Sequence, residues 1–170
     1  MSKRALWLIT GVIAIVVIVA VIVWLTSSLG PEINPAYAVA ITFTNAAGKG
    51  DDAAAEAVMS AQLREWVADN CPDGSLGACI DAYSPPEWGA FTNAVFRRAQ
   101  GNLVEGYDVQ MVATYEDDQG FSGVCIYNRV DPTADGGWEV TRWTGWVSCD
   151  LPNSGLSSLA NDADAPNAAP

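Results

Sequence analysis

Residues 107–149 read YDVQMVATYEDDQGFSGVCIYNRVDPTADGGWEVTRWTGWVSC, and the periodicity of this stretch decides the fold. Tyr107 to Tyr115 alternates apolar and polar side chains, EDDQG is a turn, and FSGVCIYNRV alternates again. DPTADGG is a second turn, and WEVTRWTGWVSC is a third alternating run. A period of two predicts antiparallel strands joined as a meander. Asn102 to Val104, or the preceding VFRRAQ, offers one strand more.

Upstream the period is helical. AYAVAITFTNAA places Ala36, Val39, Ala40, Phe43 and Ala47 on one face before GKGD stops the helix. Asp51 or Asp52 caps a second helix in which Ala55, Met59, Leu63 and Trp66 recur at helical spacing. CPDGSLGAC reads as a turn-rich loop. In SPPEWGAF, Ser84 and Glu87 form a capping box opening a short third helix, with Trp88 and Phe91 on its buried side. Helices first and a strand meander afterwards give an α+β fold, with the helices packed on one face of the sheet.

The amino terminus is of another kind. Residues 5–25 carry no charge, and 21 helical residues span about 30 Å, the thickness of a bilayer's hydrocarbon core. Trp7 and Trp24 stand near its ends, Lys3 and Arg4 precede it, and the next basic residue is Lys49. The expectation is a single-pass signal anchor in the cell membrane, with residues 1–4 cytoplasmic and the rest extracytoplasmic. Residues 26–35 then form a linker, residues 36–152 the folded domain, and residues 153–170, nearly without large apolar side chains, a disordered tail. All 20 acidic residues and six of the eight basic ones follow the apolar run, a net of −14. So acidic a surface repels phosphate backbones and argues against nucleic acid.

The four cysteines, Cys71, Cys79, Cys125 and Cys149, lie on the expected external side, where disulfides persist. With no histidine and no C-x-x-C spacing, no metal site is expected. Symmetric hairpins would set Met111 opposite Cys125 and Cys125 opposite Trp143, so that odd-numbered residues share the core face. That face holds Tyr107, Val109, Met111, Ala113, Tyr115, Cys125, Tyr127, Trp143 and Val147. Val124, Ile126, Trp138, Val140, Arg142 and Trp146 then fall on the outer face, which is too apolar for open water. A one-residue slip or a bulge at Gly145 would exchange these roles in the last strand. In the symmetric register Cys149 falls roughly 16 Å along the strand from the partner of Cys125. Cys71 pairing with Cys79 and Cys125 with Cys149 is favoured against that geometry, and pairing of the two sheet cysteines with Cys71 and Cys79 is the alternative.

The phrases AYAVAITFTNAAGKGDDAAAEAVM and SAQLREWV, followed by a short helix and a bent meander, resemble the extracytoplasmic members of the nuclear transport factor 2-like superfamily over about residues 32–150. Cystatin-like folds are near neighbours. The resemblance implies a cone-shaped α+β domain whose curved sheet encloses a pocket, often dimerising through the sheet's outer face. Enzymes of that group, the ketosteroid isomerases, polyketide cyclases and dehydratases, need a carboxylate or histidine base in the pocket. Here Tyr37, Tyr107, Tyr127 and Trp143 are the pocket candidates, with Asp81 as a further polar group, and no motif makes any of them catalytic.

The chain also lacks a G-x-S-x-G elbow, a phosphate-cradling glycine loop and an H-E-x-x-H motif, and no cofactor is expected. DPTADGG lacks the ligand spacing of a calcium loop. The expectation is a non-catalytic module that binds a partner protein, a second copy of itself or a small apolar ligand through Trp138, Trp146, Val124, Ile126 and Arg142. An isomerase- or cyclase-like enzyme and an accessory subunit of a membrane complex are the alternatives.

Overall fold

The computed structural model describes residues 15–19, 33–102, 105–117 and 124–148, and all their side chains except those of residues 83 and 145–148. The chain divides into two compact units, Met1–Ile33 and Asn34–Pro170. In the first, residues 15–19 are helical and their five apolar side chains are exposed. The rest of the expected 5–25 span, the stub, most of the linker and the tail lie outside the described residues. Among the described residues no helix is long and apolar enough to cross a membrane.

The second unit begins where the Asn34 side chain accepts the Ala36 N–H at 3.0 Å and Pro35 occupies the first helical turn, opening α1, Pro35–Gly48. Ala36, Ala40, Phe43 and Ala47 are buried on the expected face, joined by Thr44 and Ala46, while Val39 is half-buried at the margin. Thr44 keeps its hydroxyl satisfied by donating to the Ala40 carbonyl at 2.8 Å.

The expected second helix is two helices. Asp51 caps α2, Asp52–Glu56, by accepting from the Ala54 N–H. The chain then leaves the helical path to pair with a strand: the Val140 N–H donates to the Val58 carbonyl at 2.8 Å and the Ser60 N–H to the Val140 carbonyl at 2.9 Å. Ser60 next accepts the Leu63 N–H and starts α3, Ala61–Asn70. Ala55, Met59 and Leu63 are buried and Trp66 half-buried.

CPDGSLGAC holds more than a turn. Cys71 and Cys79 form a disulfide around a 3-10 turn at Pro72–Gly74, and Ser75 caps a helix, α4, Leu76–Tyr83, by accepting the Ala78 N–H. Gly77, which reads as a turn residue, is there for close approach. A Cβ on it would lie 2.9 Å from the Gly50 Cα, and its N–H donates to Asp52 Oδ1 at 2.8 Å. Opening the bridge by the double substitution Cys71→Ala, Cys79→Ala is expected to cost about 2–3 kcal/mol, the chain-entropy value for so short a loop. Denaturant midpoints under oxidising conditions check it.

The capping box does not form. Ser84 Oγ instead shares a 3.1 Å hydrogen bond with Tyr115 Oη, and the helix expected after it is a single 3-10 turn, Pro86–Trp88, with no side-chain cap. Phe91 opens a strand rather than ending a helix.

Four strands make one antiparallel sheet in the order β1-β2-β3-β4: β1 Phe91–Gly101, β2 Tyr107–Tyr115, β3 Val124–Pro132 and β4 Trp138–Ser148. VFRRAQ therefore belongs to β1, and Asn102 lies past its end. α1 packs across all four strands, and α3 and α4 against β4.

The register corrects the expected faces. Met111 pairs with Ile126 and Val112 with Cys125, one residue from the symmetric hairpin, and a one-residue slip exchanges the two faces of β3. Val124, Ile126 and Val130 therefore enter the core, and Cys125 and Tyr127 leave it for the other side of the sheet. In β4 a bulge between Val140 and Arg142 restores Trp143 to the core beside Val140. A second irregularity, between Thr144 and Val147, carries β4 on so that Val147 pairs with Cys125. The slip follows from polarity. It sets Asp108 against Arg129 and Gln110 against Tyr127 on the outer side, and only apolar groups plus Asn128 beneath the helices.

Candidate functional site

Two regions carry chemistry. The first lies on the sheet's outer face, where β2 presents Asp108 and Gln110 between polar groups of β1 and β3. The Gln110 side-chain oxygen accepts Arg98 Nε–H at 2.7 Å, and its amide donates to Tyr127 Oη at 2.9 Å and to Cys125 Sγ at 3.3 Å. Asp108 is gripped bidentately by Arg129, Nε to Oδ1 at 2.8 Å and Nη2 to Oδ2 at 3.2 Å. Arg98, Ala99, Gln100, Asp108 and Gln110 line a pit of about 40 Å³. That is room for a water molecule or two, against roughly 300–1,000 Å³ for sites that enclose a small molecule.

The second region is the free edge of β1. At Ala94 the Asn45 side chain imitates a neighbouring strand, accepting the Ala94 N–H at 3.1 Å and donating to its carbonyl at 3.4 Å. Beyond that plug no described residue pairs with the edge: Val95 and Phe96 are 48% and 41% exposed, and Arg97 and Arg98 are exposed as well. Phe96 is stacked on Tyr37 with centroids 5.2 Å apart. Tyr37 meets Tyr107 edge-on at 5.2 Å, and Tyr107 touches Trp138 at 5.7 Å. A row of aromatic rings, Phe96 exposed and the other three half-buried, thus runs from the β1 edge across α1 to β4.

The expected site residues are dispersed by this arrangement. Of the partner-binding set, Val124 and Ile126 are core residues, and Trp138 packs half-buried on the core side next to Tyr107. Arg142 is exposed opposite Arg129 on the outer face, and the Trp146 side chain lies outside the described ones. Of the pocket set, Tyr37 and Tyr107 do meet. Trp143 fills the core between Phe43 and Trp66, Tyr127 lies across the sheet in the Gln110 network, and Asp81 is exposed on α4. Sequence reasoning missed Arg98 and Arg129. Their signal was present as arginines inside strands, but the partners depend on register. It also missed Phe96, which no period marked.

Inside the core Asn128 Nδ2 donates to Thr44 Oγ1 at 2.9 Å, and its side-chain oxygen is buried without a hydrogen-bond partner among the described residues, a place for an internal water. In the β3–β4 turn the Thr133 hydroxyl and then the Gly137 N–H hold the Asp135 carboxyl below its ordinary pKa. Being fully exposed, this group has no part in an enclosed site. Among the described residues no cluster of three metal-ligating side chains occurs.

No protein family, curated protein or solved structure matches the chain.

Proposed function

We propose that the chain is a membrane-anchored, extracytoplasmic binding module without catalytic activity, which takes an extended acidic segment of a partner protein as an additional strand on β1. The observation that carries this reading is the open half of the β1 edge. An unpaired strand offers a ladder of backbone donors and acceptors to a peptide, and side-chain anchors beside it confer selectivity. Here the anchors are Val95 and the stacked Phe96 and Tyr37. Arg97 and Arg98 stand in a strand with no acidic residue, within a chain of net charge −12. A second copy would bring the same two arginines, so a partner of opposite sign fits better.

Anchoring through residues 5–25 is supported by residues 15–19, helical and apolar all round, as lipid requires. Release of the chain by alkaline carbonate would remove it. The order of helices and a four-stranded meander agree with a nuclear transport factor 2-like domain. The enclosed-pocket enzyme has less behind it, because Phe43, Met111, Ile126 and Trp143 fill the space under the sheet.

A photo-crosslinking residue placed at Val95 in the full chain, in intact membranes, tests the edge. The expected result is a discrete adduct that is absent from the same residue at Gln62, an exposed position on α3. Arg97→Glu should reduce the Val95 adduct about tenfold or more, and raised ionic strength should weaken it. Equal labelling from both positions, or none from Val95, would remove β1 from the proposal.

A further inference from the structure

The β1 edge has a stop at one end and two unlike sides. Ala94 pairs with Ala113 of β2, yet its N–H and carbonyl go to the Asn45 side chain on the other flank. Alternation along the strand then turns the same two groups of Phe96 outward. Asn45 is held by its own bond to the Ile41 carbonyl at 2.9 Å, so it takes the place of a neighbouring strand at Ala94 and not beyond it. Val95 to Gly101 is left, a run that accommodates a strand of about 5–6 residues.

Side chains of an added strand fall alternately on the two faces of the sheet, whichever way it runs. On the helix side they meet Phe96 and the Tyr37 ring stacked on it, both with apolar surface still to bury. On the outer side they meet Arg98, exposed and fixed by its bond from Nε to Gln110 at 2.7 Å. The pit beside Arg98 lies on this side, and the carboxylate in its wall, Asp108, is already neutralised by Arg129. An acidic side chain of the added strand therefore finds a positioned cation there. Arg97, exposed in the bulge between Phe96 and Arg98, adds a second positive charge. The bulge also twists the edge, which suits a short segment and defeats a long flat strand such as a second β1.

We propose that the segment taken up by β1 alternates acidic with apolar residues, acids over Arg98 and apolar side chains against Phe96 and Tyr37, and that Asn45 fixes its register by ending the ladder at Ala94. This rests on β1 as the docking edge, and adds the pattern that is read and the residue that sets its end.

Two experiments on the full chain separate the pattern from the edge itself. In the first, a photo-crosslinking residue is placed in turn at Thr92, Val95 and Gln100, all exposed, in intact membranes. Adducts are expected from Val95 and Gln100, and about fivefold fewer from Thr92, which lies past the stop. In Asn45→Ala, which frees the Ala94 backbone, Thr92 should rise to the level of Val95. Equal labelling of Thr92 and Val95 in the wild-type chain would overturn the stop, whether or not the alanine variant folds. A folded Asn45→Ala chain with Thr92 unchanged would do the same. In the second, the detergent-solubilised chain is titrated with two fluorescent peptides of one composition, the first repeating Glu-Val and the second with every Glu before every Val. The alternating peptide is expected to bind about tenfold tighter, from cross-strand pairs the other cannot all make. Arg98→Gln should weaken the alternating peptide about threefold and leave the other unchanged. If Val95 is labelled in membranes and the two peptides bind alike, β1 remains the docking edge and the pattern falls. If Val95 is unlabelled, both fall. A Val95 adduct of twice the chain's mass would replace the acidic segment by a second copy.

Discussion

Replacing Trp143 by alanine is expected to lower the unfolding free energy by about 3–5 kcal/mol, the range for emptying a buried aromatic site. Trp143 is the largest of the fully buried side chains, at 1% exposure. It stands on β4 between α1 and α3, with Phe43 edge-on at 6.4 Å and Trp66 edge-on at 6.2 Å. Its removal takes an edge-on contact from both rings, and a close-packed interior relaxes only partly into such a gap. Domains of this size are stable by about 5–15 kcal/mol, so the variant should sit near the limit of folding. Trp143→Phe, which fills more of the volume, should cost less than half as much. Trp88→Ala, at a half-buried ring on the Tyr115 side of the sheet, should also cost clearly less. Denaturant unfolding followed by near-ultraviolet circular dichroism orders the three. A loss below about 1 kcal/mol for Trp143→Ala would place the indole outside the core.

Much of this arrangement was legible in the sequence, and the reasons for success and failure are local. α1 and β2 could be read because a single period runs unbroken through each, and Trp143 was assigned to the core. The second helix failed as one element because Val58 and Ser60 find a better use for their backbone groups on Val140 than in a helical turn. Period alone cannot announce that, since Met59 stays buried either way. β1 was half missed because register shifts beside Asn93 and Arg98 interrupt its alternation and leave Val95 and Phe96 adjacent and exposed. The faces of β3 were exchanged by one residue of register, which no strand specifies about itself. It is set by cross-strand pairs such as Asp108 with Arg129, and those become visible only when both strands are in place. The same slip moved Val124 and Ile126 from the expected binding surface into the core. It also brought Tyr127 to Gln110. Binding residues read from an assumed register inherit its error as a set.

Asp108→Asn is expected to cost about 3–5 kcal/mol, as does breaking a buried ion pair from one side. Asp108 is 3% exposed and Arg129 13%, and their two parallel hydrogen bonds join residues directly opposite on β2 and β3. The asparagine keeps the shape but turns an amide N–H toward the guanidinium and removes the compensating charge. Arg142 makes the loss larger, because it stands directly opposite Arg129 on β4 and like charges across an antiparallel pair repel. With the acid gone, that repulsion is no longer offset. The joint replacement Asp108→Leu, Arg129→Met should therefore cost less than Asp108→Asn alone, since neither member of the pair is then left as an uncompensated buried charge and packing is retained. The ion pair is shielded from solvent, so salt should leave its contribution nearly unchanged while weakening any pairing made at the exposed β1 arginines. Additive single and double effects in the unfolding cycle, each below about 1 kcal/mol, would mean that water reaches this pair and that the outer face is open.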